Sequence, residues 1–200
     1  MDFRAQRFKI WGLPTSTIEI QDIIKAWLAI SIAFGVLLSH GQILSSQFIV
    51  NLLLSAFTVG TAFLLHELSH KIVAQQYGYD AEFRSFDSML LIAIGLSFFG
   101  FIFAAPGAVM IRGVYNLGHN GRISLAGPLV NIVLALLYLA GMLLFPNLVF
   151  QYGLYINSLL AVFNLIPLGM FDGKKVFAWN KAVWGVAFGF SVALFLMQMV

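Results

Sequence analysis

The chain of 200 residues contains no cysteine and few charged residues. Without cysteine it can form neither a disulfide framework nor a redox thiol. Charged residues make up 10% of the chain, against about 25% in soluble globular proteins. The sequence also has no low-complexity run of the kind that marks disorder. These absences exclude a disulfide scaffold, a thiol-dependent redox enzyme and an intrinsically disordered protein.

Apolar residues dominate the composition instead. They make up 60% of the chain and include 20 Phe and 4 Trp. So much apolar surface cannot be hidden in the core of a small water-soluble protein, because too little polar surface would remain to cover it. The sequence therefore predicts an integral, multi-pass protein of the lipid bilayer. The net charge of +3 reports membrane orientation rather than a nucleic acid, and we expect no nucleic-acid partner.

Several apolar runs are close to the length of about 20 residues that spans a bilayer. They are residues 23–38, 48–72, 123–145, 153–168 and 176–200. A less regular apolar segment, 89–111, lies between the second and third runs and is broken by glycines and a proline. The polar leader runs to Asp22, and no small-residue cleavage pattern follows Leu38, so we expect no removable signal peptide.

The basic residues predict the topology. The connections 39–47 and 146–152 contain no Lys or Arg. If segment 89–111 enters the membrane and returns on the same side, all eleven basic residues fall on one face. The positive-inside rule therefore favours five crossings, a re-entrant segment and a cytoplasmic N-terminus. Irregular backbone at that depth must be covered by protein or line a wet cavity.

One apolar run carries three ionisable residues within five positions. His66, Glu67 and His70 form an H-E-x-x-H motif. The two imidazoles lie one helical turn apart, so they can bind one Zn²⁺ while Glu67 takes a proton from water. The alternative is a polar cluster that only bonds to neighbouring helices. Because each such group costs a few kcal/mol in lipid unless it is paired or metal-bound, the motif favours a metal.

A hydrolytic zinc site needs a third protein ligand and one open position. The candidates are His40, His119 and Asp172. The predicted topology places His40 on the opposite face, and the Gly/Asn-rich stretch around His119 resembles a solvated turn. Asp172 follows a Pro- and Gly-containing span end that can turn its carboxylate towards a cavity. An ordinary helix-ending Asp-Gly turn explains Asp172 equally well, so the residues alone leave the third ligand open.

Four motifs together resemble the site-2 protease family of intramembrane zinc metalloproteases. They are H-E-L-S-H at 66–70, N-L-I-P-L-G-M-F-D-G at 164–173, A-G-P-L-V-N at 126–131 and R-F-K-I-W-G-L-P at 7–14. The resemblance covers the core from about residue 60 to 176. It implies that His66, His70 and Asp172 bind Zn²⁺ and that Glu67 is the catalytic acid/base. It also implies that Asn164 and Asn131 bind the substrate or its developing oxyanion.

The fold that follows is an all-α polytopic membrane protein. It has about five transmembrane helices and a re-entrant segment, in which the resemblance implies a small membrane-embedded β hairpin. We expect a single transmembrane protease domain over residues 1–200. Its parts are an interfacial leader (1–22), the HExxH helix (48–75), the re-entrant segment (89–111), the Gly-Pro helix (123–145) and the NxxPxxxxDG helix (153–173).

The expected activity is zinc-dependent hydrolysis of peptide bonds within or near the transmembrane segments of membrane proteins. Because His66 lies some 18 residues beyond Phe48, about 27 Å along a helix, the site is expected in the inner half of the bilayer. A substrate helix must unwind locally, and an edge strand at 101–105 or 108–111 could pair with its freed backbone.

Two other functions are compatible with the same residues. In one, the His/Glu/Asp cluster is a relay in a proton- or ion-handling membrane protein. In the other, the chain is a zinc-binding but catalytically silent membrane scaffold. Zinc bound at about one ion per chain would argue against the first alternative, and the intact Glu67 argues against the second.

Overall fold

The computed structural model describes residues 7–10, 12–102, 106–114 and 116–199. Within them the chain is mostly helical. In chain order the elements are β1 (Arg7–Ile10), β2 (Leu13–Ser16), α1 (Thr17–Leu38), α2 (Ser46–Ser55), a π-helical turn (Ala56–Gly60), α3 (Thr61–Gln76), β3 (Asp80–Ser85), α4 (Asp87–Ser97), β4 (Gly107–Arg112), α5 (Leu117–Leu144), α6 (Leu148–Asn164), α7 (Asp172–Trp179) and α8 (Lys181–Leu196).

Three helical stretches in the described part of the chain are long and apolar enough to cross a membrane. They are Thr17–Leu38, Ser46–Gln76 and Leu117–Leu144. Shorter apolar helices follow at Asp87–Ser97, Leu148–Asn164 and Lys181–Leu196. These helices are consistent with a membrane protein, while the count of five crossings stays a prediction.

The chain divides into two compact units. One comprises residues 1–64 and 81–110, and the other comprises 65–80 and 111–200. In the first unit, β1 and β2 form an antiparallel pair with Ile10 opposite Leu13. Gly12, at φ +82°, permits the tight turn between them. Ser16 then caps α1 by accepting a hydrogen bond from the Glu19 N–H at 3.1 Å, so the predicted leader holds a hairpin and the first turn of a helix.

The segment predicted to be re-entrant contains helix α4 and strand β4. Strand β4 pairs with β3, which lies before that segment. One strand of this two-stranded sheet therefore comes from outside the segment in which the hairpin was expected. The charged residues of β3 hide its strand character: Arg84 and Glu82 are buried and pair at 2.8 Å. Of the expected strand at 101–105, residues 101 and 102 are irregular and the remainder lies outside the described residues.

The core of the first unit forms where β3, α1 and α4 meet. Phe83 is fully buried and packs with Ala26, Ala29 and Leu90. Its backbone N–H donates to the Glu19 carboxylate at 2.9 Å. At the start of α4, Lys25 of α1 binds Asp87 at 2.8 Å. Apolar packing and ion pairs thus fix α4 alongside α1.

A π-helical turn interrupts the second long helical stretch. Its first residue, Ala56, offers its carbonyl to the Trp27 indole N–H at 3.1 Å. A Cβ on Gly60 would lie 2.7 Å from two atoms of the same indole. Gly60 is therefore glycine because the Trp27 ring occupies the space of its side chain.

The second unit has its own core between α5, α6 and α8. Ala135, Leu154, Ala161 and Leu194 form the buried cluster. Glycine lets α5 and α6 pack closely, because aromatic rings of one helix contact the backbone of the other. A Cβ on Gly153 of α6 would overlap the Tyr138 ring of α5.

We expect Gly60→Ala to destabilise the first unit by about 1–3 kcal/mol, the usual cost of overpacking. Thermal unfolding in detergent would measure the change. The matched control is Gly95→Ala in α4, where an added Cβ meets nothing within 4 Å and the higher helix propensity of Ala should be neutral or stabilising. Equal stability of both variants would contradict the packing described for Trp27.

Candidate metal centre

The H-E-x-x-H motif lies within α3, in the second unit. His66 and His70 are 4% and 7% exposed, and their ring centroids are 4.8 Å apart. Spacing by one helical turn puts both rings on the same face of α3. Two buried imidazoles therefore point to one side of an apolar helix.

Asp172 is brought to the histidines by the break between α6 and α7. Its Oδ2 lies 3.4 Å from Nε2 of His66 and 3.1 Å from Nε2 of His70. Its other oxygen, Oδ1, lies 3.6 Å from the ammonium of Lys175. The structure thus places Asp172 beside both imidazoles. Among the described residues, the group that could hold a metal is His66, His70 and Asp172, and neither His40 nor His119 belongs to it.

The backbone at this break is compact and satisfied. A Cβ on Gly173 would overlap the carbonyl of Leu165, so only glycine lets the start of α7 approach the end of α6 this closely. The same Leu165 carbonyl, freed at the end of the helix, accepts the Trp184 indole N–H at 2.8 Å. Such a partner is needed because unpaired carbonyls are costly away from water.

Helix α5 supports both imidazoles from behind. Nδ1 of His70 lies 2.7 Å from the carbonyl of Ile123, and Nδ1 of His66 lies 2.6 Å from Oδ1 of Asn131. Both acceptors are oxygens, so each Nδ1 donates its hydrogen to α5. Each Nε2 faces Asp172 and is the nitrogen that can bind a metal.

Gly127 lies between these two supports. A Cβ there would overlap Nε2 of both His66 and His70. The A-G-P-L-V-N motif therefore has a steric meaning: the backbone of α5 itself forms the wall of the cluster. A similar contact lies six residues earlier in α5, where the Trp179 ring of α7 occupies the space of a side chain on Gly121.

These residues fit a zinc ion. The ligand atoms of His66, His70 and Asp172 all lie within 4.8 Å of one another. Tetrahedral zinc with N and O ligands at about 2.0–2.1 Å separates them by about 3.3 Å, close to the observed 3.1 and 3.4 Å. Hydrogen bonds from the second ring nitrogen are typical of metal-binding histidines. Both the donor atoms and their supports suit the metal.

The other residues predicted for the site occupy different surroundings. Glu67 is half-buried next to His66. Asn131 is fully buried and bonded to His66. Asn164 is half-buried at the end of α6, and its amide donates to the Leu160 carbonyl at 3.0 Å. His119 lies in the first turn of α5, stacked on the Tyr77 ring at 4.1 Å, rather than in a solvated turn.

Sequence reasoning missed two supports of the cluster. One is the carbonyl of Ile123, which no side-chain pattern reveals. The other is Asn157 of α6, fully buried and hydrogen-bonded to Asn131 at 3.1 Å. The available signal was a second Asn inside an apolar run, because a polar amide in such a helix needs a partner.

Comparison with known proteins decides the family. The chain is 39% identical over 175 residues to the protein named "Putative zinc metalloprotease MJ0611" of Methanocaldococcus jannaschii, covering 84% of this chain and 87% of the relative. It is 28% identical over 181 residues to "Zinc metalloprotease MJ0392" of the same organism, covering 88% of this chain and 45% of that relative. This chain belongs to a family of zinc metalloproteases. No protein-family model matches it, and no solved structure matches it significantly.

Zinc is accordingly the cofactor of this metalloprotease, and the group of His66, His70 and Asp172 is its candidate site. The chain spans just under half the length of the second relative. The family assignment rests on the first relative, which the chain covers almost completely.

We expect Gly127→Ala to weaken zinc binding by about 10- to 100-fold, the range for changes that disturb metal-ligand orientation. The added methyl group would displace both Nε2 atoms, which are the proposed donor atoms. Metal analysis after dialysis against graded chelator would measure the loss. Gly185→Ala in α8, where an added Cβ meets nothing within 4 Å, is the control; equal zinc content in the two variants would argue against Gly127 as the wall of the site.

Proposed function

We propose that this zinc metalloprotease is a site-2 protease-like enzyme that hydrolyses peptide bonds within or near the transmembrane segments of membrane-protein substrates. The observation that carries the proposal is the position of the cluster: His66 and His70 lie in a 31-residue helical stretch that is long and apolar enough to cross a membrane. A protease site on such a helix is best placed for substrates that share the bilayer.

In this proposal His66, His70 and Asp172 hold the metal through Nε2 and carboxylate oxygen. Bound zinc supplies a Lewis acid that polarises a peptide carbonyl and acidifies water. Glu67, adjacent to His66 on α3, accepts a proton from the attacking water and then donates it to the leaving amine. The hydrogen bonds from α5 keep both imidazoles in one orientation throughout, so little reorganisation energy is needed in each turnover.

The proposed substrate is a transmembrane protein or peptide with a locally unwound stretch. A helical peptide bond is shielded by its own hydrogen bonds, so unwinding exposes the carbonyl that is attacked. Asn164, eight residues before Asp172 in sequence and half-buried, is the proposed substrate contact. For Asn131 to bind substrate through its Oδ1, its buried hydrogen bond to Nδ1 of His66 would have to break. Asn164 is therefore the better candidate.

The names of both relatives favour a protease over an ion-handling protein. A catalytically silent scaffold would keep the metal ligands and have no use for a carboxylate beside them. The presence of Glu67 therefore supports catalysis, and its replacement separates the two functions.

We expect Glu67→Gln to retain zinc and to lower cleavage of a model transmembrane substrate by at least about 100-fold, because the general acid/base is lost. Zinc content and the cleavage rate of the purified protein in detergent or liposomes are the two measurements. The control is Asp87→Asn, the same carboxylate-to-amide change at the start of α4. Undiminished cleavage by Glu67→Gln would refute the proposed mechanism, and absence of cleavage by the unmodified chain on every transmembrane substrate tested would refute the proposed function.

The proposed orientation places the N-terminus and the basic connections in the cytoplasm. Since the chain contains no cysteine, single introduced thiols report topology directly. Leu44→Cys, at a position 98% exposed in the connection without basic residues, should react with a membrane-impermeant maleimide on intact cells. Lys174→Cys should react only after the membrane is permeabilised. Labelling of Lys174→Cys on intact cells would invert the proposed topology.

A further inference from the structure

A chain of hydrogen bonds connects the zinc cluster to the middle of α6. Nδ1 of His66 lies 2.6 Å from Oδ1 of Asn131. Nδ2 of Asn131 donates to Oδ1 of Asn157 at 3.1 Å, and Nδ2 of Asn157 donates to the carbonyl of Gly153 at 2.8 Å. Both asparagines are fully buried, so water cannot substitute for these partners.

The end of this chain fixes its direction. A backbone carbonyl has lone pairs and no hydrogen, so it can only accept. If Asn157 turned its amide over, its Oδ1 would face the Gly153 carbonyl, and two acceptors would confront each other in a buried site. If Asn131 alone turned over, its Oδ1 would face Oδ1 of Asn157 with the same result. Only one arrangement of the two amides satisfies every group.

That arrangement decides how the His66 ring is held. With Asn131 Oδ1 towards the ring, Nδ1 donates the hydrogen bond, and Nε2 is the nitrogen that faces the metal position. His70 reaches the same state by a shorter route, because its Nδ1 bonds directly to the Ile123 carbonyl. Both imidazoles thus depend on a backbone carbonyl, and His66 reaches its carbonyl through two amides.

We propose that Asn157 is a positioning residue of the zinc site: anchored on the Gly153 carbonyl, it orients Asn131 and thereby fixes the His66 ring with Nδ1 hydrogen-bonded and Nε2 towards the metal. Asn157 acts through Asn131, to which it is hydrogen-bonded. The inference rests on the proposed zinc-binding role of His66 and adds a support in α6, a helix that contributes none of the three proposed ligands.

The local packing explains why α6 can serve this purpose. Gly153, which supplies the terminal carbonyl, is one turn before Asn157, and the Tyr138 ring of α5 rests on its backbone. Leu154 and Ala161 hold the same side of α6 in the core. The carbonyl is therefore a fixed anchor, and the amide that binds it cannot move away without disturbing the interface between α5 and α6.

A pair of variants matched in shape tests the proposal. Asn157→Thr and Asn157→Val have the same shape, but only Thr has a hydroxyl that donates to the carbonyl four residues earlier, as Thr58 does to Leu54 at 2.7 Å, and that also offers lone pairs to Asn131. We expect Asn157→Val to weaken zinc binding at least about tenfold and Asn157→Thr to recover most of the affinity. Equal zinc affinity for Thr and Val would overturn the proposal, because shape alone would then account for the result.

A measurement on the metal-free protein makes the test independent of zinc and of proteolysis. In the unmodified chain, ¹⁵N spectra of labelled histidine should show a hydrogen on Nδ1 of His66 that exchanges slowly with solvent, because it is bonded within the core. Asn157→Val should speed that exchange, and Asn157→Thr should resemble the unmodified chain. An unchanged exchange rate of the His66 Nδ1 hydrogen in Asn157→Val would also overturn the proposal.

Ser191→Ala is the control for loss of any buried hydroxyl or amide. Ser191 is fully buried in α8 of the same unit, and its hydroxyl donates to the Ala187 carbonyl at 2.8 Å. This change should leave zinc affinity and the exchange rate of the His66 Nδ1 hydrogen as they are. If the protein binds zinc and responds to Asn157 as expected but cleaves no transmembrane substrate, the proposed function fails while the assignment of Asn157 stands.

Discussion

The candidate zinc cluster depends on the close approach of α5 to the histidine rings of α3. At Gly127 there is no room for even one methyl group between the α5 backbone and the two Nε2 atoms. One turn on either side, the Ile123 carbonyl and the Asn131 side chain bind the two Nδ1 atoms. Spacing of four residues puts these three positions on one face of α5. A single helix face thus sets the position of two proposed ligands and binds both of their Nδ1 atoms.

Most of the site could be predicted from sequence because its residues are ionisable groups in an apolar chain. Such groups are costly in lipid unless they are paired or bind metal, so His66, Glu67 and His70 are conspicuous. Asp172 was one of three candidates, and residue chemistry alone could not choose among them. The choice depends on the break between α6 and α7, where the fit of Gly173 against the Leu165 carbonyl is a three-dimensional fact. Similarly, the acceptor for His70 is a backbone carbonyl, which every residue possesses and no sequence pattern distinguishes.

The fold was predicted less evenly, for physical reasons. Long apolar helices have a clear signal, and Thr17–Leu38, Ser46–Gln76 and Leu117–Leu144 match expected runs closely. Strand β3 has the opposite character, because its charged residues are buried against each other and, through Arg84 and Asp22, against α1. Hydrophobic periodicity cannot reveal a strand whose buried residues include Glu82 and Arg84. Helix α4 was concealed by the glycines of its segment, since packing against α1 overrides their low helix propensity.

Charge explains why this arrangement suits an apolar environment. Imidazoles that bind zinc through Nε2 are neutral ligands, so Asp172 and Glu67 supply the negative charges among the four proposed site residues. Two carboxylates balance the two positive charges of the zinc ion that the family binds, so these four residues and the ion together carry no net charge in a medium of low dielectric constant. The Lys175 ammonium, 3.6 Å from Oδ1 of Asp172 and partly exposed, lies at the edge of this group. A protonated histidine would destroy that balance and also occupy the lone pair that binds metal. The carbonyl of Ile123, reached directly, and that of Gly153, reached through Asn131 and Asn157, therefore govern both the electrostatics and the ligand geometry of the site.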